Sequence, residues 1–524
     1  MTAEPTVAKP KSSLFRRVLG EPSTRPPGPR LLALIVFVVG ASSLGAEIAA
    51  ARLLAPWFGA STIIWANTIA TVLVGLSVGY WFGGRLADRD PSVASMSKII
   101  FGAAILMALV PFLGSPFLRV SVEALDNIEA GAFVGSLIAV LVLIAVPVVL
   151  LGAISPFALR LSVQSVEEAG TVSGRLYAIS TLGSLFGVFS SALLLIPVLG
   201  TRRTFLVFAL ALGLVAVAGL RMPRALMLPA AIAGLLALPV GTIKAADGEQ
   251  VIWEQETAYQ YARVVQDGDG DRRLELNEGQ AVHSRYSPGE YLTGDYWDEF
   301  IVAPLASGAG APKKVAILGN AAGTTARAIG HYFPQAAIDA VEIDGELTKV
   351  GRVLFDMRAP RLRTHTADAR PWLRRSHERF DLIMVDAYRQ PYIPFYLATR
   401  EFFAEAREHL TPGGVLAINI GHPEDSPDLE QVLTATVRAE FPYALRDPVV
   451  ETNTALLASR APLSATNVAQ HVARLPAEIR PLAREFAQRL EAPLRGGRVY
   501  TDDVSPVEWL VDASIVKVAA EGER

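Results

Sequence analysis

Cysteine is absent from all 524 residues, which excludes disulfides, thiolate metal sites and cysteine nucleophiles. Histidine is scarce. The seven present are scattered without metal-ligand spacing, so no metal is expected. An excess of one charge sign is lacking too: the formal net charge is −3, which leaves no global basic field for nucleic acid. Charge of either sign is thin between residues 31 and 242. That stretch carries most of the apolar surplus behind the 51% hydrophobic content and the mean hydropathy of +0.35. The remainder has an ordinary soluble composition, and the length allows two or more domains.

What is there begins with a polar tail over 1–30, rich in Pro, Ser, Lys and Arg, which reads as disordered. No cleavable signal peptide is expected, because the first apolar run starts late and more follow. Apolar stretches recur at roughly 31–54, 62–84, 99–118, 131–154, 176–199, 203–220 and 225–243. Most approach the ~20 residues that cross a bilayer. So many in succession predict a multi-pass α-helical membrane domain over 31–243, with about seven segments, rather than buried core helices. Basic residues precede the first stretch (Lys9, Lys11, Arg16, Arg17, Arg25, Arg30) and recur in alternate connections (Arg85, Arg89, Lys98; Arg160, Arg175; Arg221, Arg224). The opposite loops offer mainly Arg119, Arg202 and Arg203, so a cytoplasmic amino terminus is expected. Glu47, Arg52, Asn67 and Ser180 sit in or near the spans, either holding helices together or lining a path. Gly83-Gly-Arg-Leu-Ala-Asp-Arg89 resembles the cytoplasmic loop motif of major-facilitator transporters, or is a charged turn anchoring two helices.

After a polar linker the pattern shortens to alternating runs. Residues 251–305 read as a small β-rich domain, with a hairpin turn at Asp267-Gly-Asp-Gly-Asp271. A calcium loop is not expected there, since no ligating Glu follows at the required spacing. From 306 to 524 strands alternate with helices, which predicts an α/β Rossmann-like domain with a largely parallel sheet. Its opening unit is a strand (Val315–Leu318), a glycine turn (Gly319 to Gly323), a helix-like segment (Thr324 to Tyr332) and a second strand ending in Glu342 and Asp344. That order sets a nucleotide over the turn and a ribose against the acid. Gly319, Glu342, Asp368 and Asp386 all fall at predicted strand tips, where such sheets collect ligands.

Glu342 suits the two ribose hydroxyls, and Asp368 with the backbone of Ala369 suits an adenine amino group. Asp386 is placed to orient an amine and take its proton, or else to cap the following turn. The loop Ala387-Tyr-Arg-Gln-Pro-Tyr-Ile-Pro-Phe-Tyr396 offers aromatic walls for a sulfonium or ammonium, or packs as a lid.

These residues, in this order, resemble the spermidine synthase (polyamine aminopropyltransferase) family in a membrane-fused form. The likeness rests on Glu256-Thr-Ala-Tyr-Gln260, the VEID at 341–344, Asp368-Ala369, the strand ending at Asp386, TREFF at 399–403, TPGG at 411–414 and TDDVSPVEWL at 501–510. In the apolar half it rests on ARLLAPWFG at 51–59, LGAISPFALRL at 151–161 and GRLYAISTLGSLFG at 174–187. The resemblance implies a class I methyltransferase-type fold preceded by a small β-domain. It implies transfer of an aminopropyl group from decarboxylated S-adenosylmethionine to an amine, with release of methylthioadenosine. Carried over, Gln260, Gly319, Asn320, Gly323, Glu342, Ile343, Asp368 and Ala369 hold the adenosyl cosubstrate. Asp386, Tyr388 and Arg389 form the catalytic set, and Gln280, Tyr296, Asp298, Asp502 and Asp503 are candidates for the substrate. A lipid bilayer and an amine or amino-acid substrate are the expected partners, and the family likeness allows a homodimer that nothing in the sequence itself shows.

Two departures bear on the substrates. The family's GGGDG turn is Gly319-Asn-Ala-Ala-Gly323 here, so Ala322 replaces an acid; its DSSDP loop is Asp386-Ala-Tyr-Arg-Gln-Pro391, so Arg389 replaces another. A dicationic polyamine loses attraction in such a site. Arg389 could pair with a carboxylate, making S-adenosylmethionine itself the donor or an amino acid the acceptor, unless Asp295, Asp298, Asp502 or Asp503 restores the charge. The other functional classes the sequence allows are a methyltransferase or another S-adenosylmethionine-consuming enzyme, and a transporter or sensor with a non-catalytic adenosyl-binding domain. Seven crossings from a cytoplasmic start would leave the carboxyl-terminal domain outside, away from where its cosubstrate is made. Either one stretch is re-entrant or interfacial, or the domain is external; the cytoplasm is favoured, and the stretches joined by Arg221-Met-Pro-Arg224 are the weakest crossings.

Overall fold

Apolar sequence becomes six long helices in the first unit: α1 (Pro29–Phe58), α2 (Ile64–Arg89), α3 (Val93–Ser121), α4 (Gly135–Ser162), α5 (Ala169–Leu199) and α6 (Thr201–Leu220). The computed structural model describes residues 28–58, 62–125, 131–238, 243–244, 249–277, 281–388, 393–422 and 426–511. Most of the amino-terminal tail, Gln280 and Arg389 lie outside the described residues. The seventh apolar stretch forms only a short helix, Pro223–Ala237, below the ~20 residues a crossing needs.

Glycine lets these helices touch. A Cβ on Gly183 or Gly187 of α5 would lie 2.2 Å from the Phe37 carbonyl oxygen or 2.1 Å from that of Ala41 on α1. Asn67 donates to Ser136 at 3.0 Å. Asp88 pairs with Arg160 at 3.5 Å, so the GGRLADR segment ties two helices together. Single π turns, Leu141–Ala145 and Ser191–Leu195, immediately precede the turns holding Pro147 and Pro197. Proline lacks an N–H, and a local widening of the helix accommodates the loss.

The second unit holds two sheets. The smaller is an antiparallel meander of β1 (Gln250–Glu256), β2 (Tyr261–Gln266), β3 (Arg272–Leu276) and β4 (Val282–Tyr286). Its β2–β3 turn is the expected Asp-Gly hairpin, closed by Asp267 Oδ1 accepting the N–H groups of Asp269 and Asp271, each at 3.0 Å.

The larger sheet contains β5 (Lys314–Leu318), β6 (Ala337–Glu342), β7 (Leu362–Thr366), β8 (Phe380–Val385), β9 (Leu410–Gly421), β10 (Tyr443–Val450) and β11 (Asn453–Ser459). Their order is β10-β11-β9-β8-β5-β6-β7. β5 to β9 run parallel, and β11 is antiparallel to β9 and to β10. This is a Rossmann-like, methyltransferase-type sheet. Its central strands are apolar on both faces because both faces are covered. Ala316, Leu318, Ile383, Val385, Leu416 and Ile418 enter one core, while Val315, Ile317, Leu382, Met384, Val415 and Ala417 enter the other.

The pairing register positions the site. Leu318 pairs with Val341 on one side and Val385 on the other, and Val385 pairs with Ile418. One residue further along each strand come Glu342, Gly319, Asp386 and Asn419, in one row across the carboxyl ends.

Candidate active site

The glycine turn is shaped by close approach. Gly319 has φ +91°, and a Cβ there would lie 2.3 Å from the Asp386 carbonyl oxygen. Only glycine fits both the left-handed backbone and the contact. Gly323, φ +92°, precedes the helix Thr324–Tyr332 and faces Met357 with no room for a side chain. Ala321 also has positive φ (45°), and its N–H donates to Glu342 Oε2 at 2.8 Å. Glu342 Oε1 accepts the Asp344 N–H at 2.9 Å. The carboxylate is therefore fixed by backbone alone, and burial pushes it up to about 7 against those two stabilising donors.

Gln260 lies in the β1–β2 connection, which folds onto this end of the sheet. Its N–H donates to Thr257 Oγ1, and Thr257 donates to Asp344 Oδ2 at 2.6 Å. Gln260 and Thr257 both hydrogen-bond Asp344, whose carboxyl burial nonetheless raises. Ile343 lies between Glu342 and Asp344 at the strand tip. Asp368 caps the helix Ala369–Arg375 through the Arg370 N–H and accepts the Tyr396 hydroxyl at 2.8 Å.

Asp386 is wired differently. Asn419 Nδ2 donates to its Oδ1 at 2.8 Å, and the Tyr296 hydroxyl donates to its Oδ2 at 3.3 Å. Burial raises its carboxyl to about 7, opposed by Asn419, Tyr296 and the Trp297 indole. Desolvation first, then the neighbouring Asp386, keeps the Tyr296 phenol protonated far above its ordinary range. Asn453 Nδ2 in turn donates to Asn419 Oδ1 at 2.9 Å. Tyr388 bridges the end of β9, donating to the Asn419 carbonyl at 2.7 Å and accepting from the Gly421 N–H at 2.8 Å. A cleft opens beside Asp386 and is lined by His283, Trp297, Gly319, Asn320 and Thr325 among others.

Gly319, Asn320, Glu342, Asp386, Tyr388 and Tyr296 thus converge, with Gln260 and Ile343 alongside and Asp368 and Ala369 at the start of the neighbouring helix. Asp298 does not join them. Its carboxylate accepts the Thr293 and Gly294 N–H groups and the Thr293 hydroxyl, which closes its own loop. Asp502 is drawn off by Arg370, at 2.7 and 2.8 Å, and by the Thr399 hydroxyl. Asp503 is exposed. Asp295 caps its own turn and faces Arg285 at 3.7 Å. Asn419, Asn453, Trp297 and His283 were not singled out from the sequence. Asn419 carried the same signal as the others, a polar residue near the end of a predicted strand.

The spermine/spermidine synthase domain family matches residues 297–455, which contain this row of strand tips. A probable polyamine aminopropyl transferase from Bifidobacterium longum is 37% identical over 191 residues, 36% of this chain and 42% of that one. The polyamine aminopropyltransferase of Vibrio vulnificus is 30% identical over 210 residues, 38% of this chain and 70% of that one. Polyamine aminopropyltransferase 2 of Ralstonia nicotianae is 26% identical over 449 residues, 78% of this chain and 82% of that one, so this likeness extends into the apolar half. The chain thus spans less than half of the Bifidobacterium relative and over two thirds of the other two.

Proposed function

Because the chain belongs to the polyamine aminopropyltransferase family, we propose that its α/β unit transfers an aminopropyl-type group from an adenosyl sulfonium donor to an amine. The observation that carries this reading is Asp386, a buried carboxyl at the central strand tip, held by Asn419 and Tyr296 and open to the cleft. In the proposed step the amine nitrogen attacks the propyl carbon bonded to the sulfonium sulfur. The carbon–sulfur bond breaks, both its electrons go to sulfur, and neutral methylthioadenosine leaves. The proton shed by the nitrogen passes to Asp386. Glu342 takes the ribose hydroxyls, and Gln260 steadies that end through Asp344. Asp368, beside Ala369, reads the adenine, and Tyr388 fixes the β9 tip that carries Asn419.

The apolar unit supports a bilayer-embedded reading. Its α5 leaves Leu182, Phe186, Phe189 and Leu193 about half or more exposed, a surface suited to hydrocarbon rather than water. Six crossings, with Pro223–Ala237 lying short of a seventh, return the chain to the side on which it started. With the basic amino-terminal connections on the cytoplasmic side, the α/β unit then faces the cytoplasm.

A mass-spectrometric product assay on detergent-purified full chain tests the chemistry. S-adenosylmethionine and its decarboxylated form are offered separately, with and without a panel of amines. Methylthioadenosine with an alkylated amine is expected. S-adenosylhomocysteine as the product would instead make the chain a methyltransferase, and binding without turnover would make it a sensor.

A further inference from the structure

The cleft beside Asp386 contains buried polar atoms that nothing in the protein satisfies. Thr325, 4% exposed, has no partner for its hydroxyl, and Asn320, 6% exposed, has none for Oδ1. His283 Nε2 is likewise buried and unpaired. All three residues line the cleft. Orphaned buried groups are rare and costly, so three around one cleft point to a ligand that satisfies them.

The lining holds both donors and acceptors. Thr325 lies in the first turn of the nine-residue helix Thr324–Tyr332, where the first N–H groups lack helical partners and the helix dipole favours negative charge. The Thr325 hydroxyl adds a donor to the same place. Burial pushes the His283 imidazole down to about 4, so it is neutral and offers one donor or one acceptor. The same lining also carries acceptors, the Asn320 amide oxygen and the Asp386 carboxylate. Asp386 is the one acid among the cleft-lining residues. A purely cationic ligand satisfies Asn320 and Asp386 and leaves the donor-only N–H groups of the helix start unmet.

We propose that this cleft receives an α-amino acid group, its carboxylate on the Thr325 hydroxyl and the first amides of Thr324–Tyr332, its ammonium toward Asn320 Oδ1 and Asp386. The inference rests on the adenosyl-donor reading above. The same chemistry has two sources: the methionyl end of intact S-adenosylmethionine, or a free amino acid acting as acceptor.

Isothermal titration of the detergent-solubilised full chain separates them. One pair of probes is S-adenosylmethionine against its decarboxylated form. The other, on protein saturated with methylthioadenosine, is lysine against cadaverine. A carboxylate recognised by charged hydrogen bonds should favour the carboxylate-bearing member of one pair by about 10-fold. Preference in the first pair assigns the carboxylate to the donor, and in the second to the acceptor. Thr325→Val should abolish the preference and Thr325→Ser keep it, with methylthioadenosine affinity unchanged in both. Equal or tighter binding of the decarboxylated member in both pairs overturns the inference, as does a preference that survives Thr325→Val. Failure of methylthioadenosine itself to bind the wild-type chain overturns the adenosyl reading, and this inference with it.

Discussion

Glu342 and Asp386 sit at neighbouring tips of the same sheet, either side of Gly319, and burial lifts both carboxyls to about 7. Their wiring differs. Glu342 is gripped by two backbone N–H groups, from Ala321 and Asp344. Asp386 is held by two side chains, Asn419 and Tyr296. Backbone donors cannot swing away without unfolding the turn, which suits a group that binds one thing in one pose. Side-chain donors leave a carboxyl that can gain and lose a proton while its neighbours adjust. Under the proposed reaction the difference favours binding for Glu342 and proton transfer for Asp386, although their burial and pKa direction are alike.

The comparison breaks most visibly at Asp386. Asp386→Asn keeps size and polarity but cannot take a proton, so turnover should fall by about 10²–10⁴-fold, while methylthioadenosine affinity, measured by titration, stays near wild type. In the wild-type chain the rate should rise with pH through about 7, because the base must be ionised. Glu342→Gln should do the opposite: affinity for methylthioadenosine falls by about 10-fold or more as charged hydrogen bonds to the ribose weaken, and saturating ligand restores most of the rate.

A smaller effect sharpens the contrast in wiring. Asn419 and Tyr296 favour the ionised form of Asp386, so Asn419→Ala or Tyr296→Phe should raise its pKa further. The acid limb of the pH–rate profile then moves to higher pH, and no such movement is expected in Glu342→Gln. Stability gives a companion reading. Both carboxyls have folded-state pKa values above their ordinary ones, so the stability they lend is full below the unfolded value and is lost as pH rises through about 7. Glu342→Gln should flatten that loss in denaturant titrations of the ligand-free chain between about pH 4.5 and about pH 7.5. The smallest effect should come from Asp502→Asn. This half-exposed residue is held below the usual carboxylate range chiefly by Arg370, and its loss should lower the melting temperature slightly with the product profile unchanged.

The row of strand tips was legible in the sequence because strands ending in glycine or an acid mark a crevice, and the parallel order follows from alternation with helices. Asn419 was not: its part depends on a register that sets it beside Asp386, 33 residues away. The partners of the loop acids are hidden from the sequence for a related reason. Asp502 looked available, yet its partner Arg370 lies 132 residues earlier, and Asp298 spends its oxygens on Thr293 and Gly294. The seventh apolar stretch reads as a span by composition, but Pro223 restarts a helix that ends at Ala237. Thr325 gave no signal, since a hydroxyl in a first helical turn is ordinary until its lack of a partner is seen.

The contact at Gly319 also limits how this site can be altered, by selection or by design. The 2.3 Å gap to the Asp386 carbonyl means that any side chain at 319 is a wedge driven between the glycine turn and the strand that ends at Asp386. Variation that reshapes the cleft has to enter elsewhere, and Asn320 and Ala321, the next two residues, are where the turn already carries side chains into its lining. Under the proposed reaction the substrate range can drift through those two positions, while the seam at Gly319 stays closed.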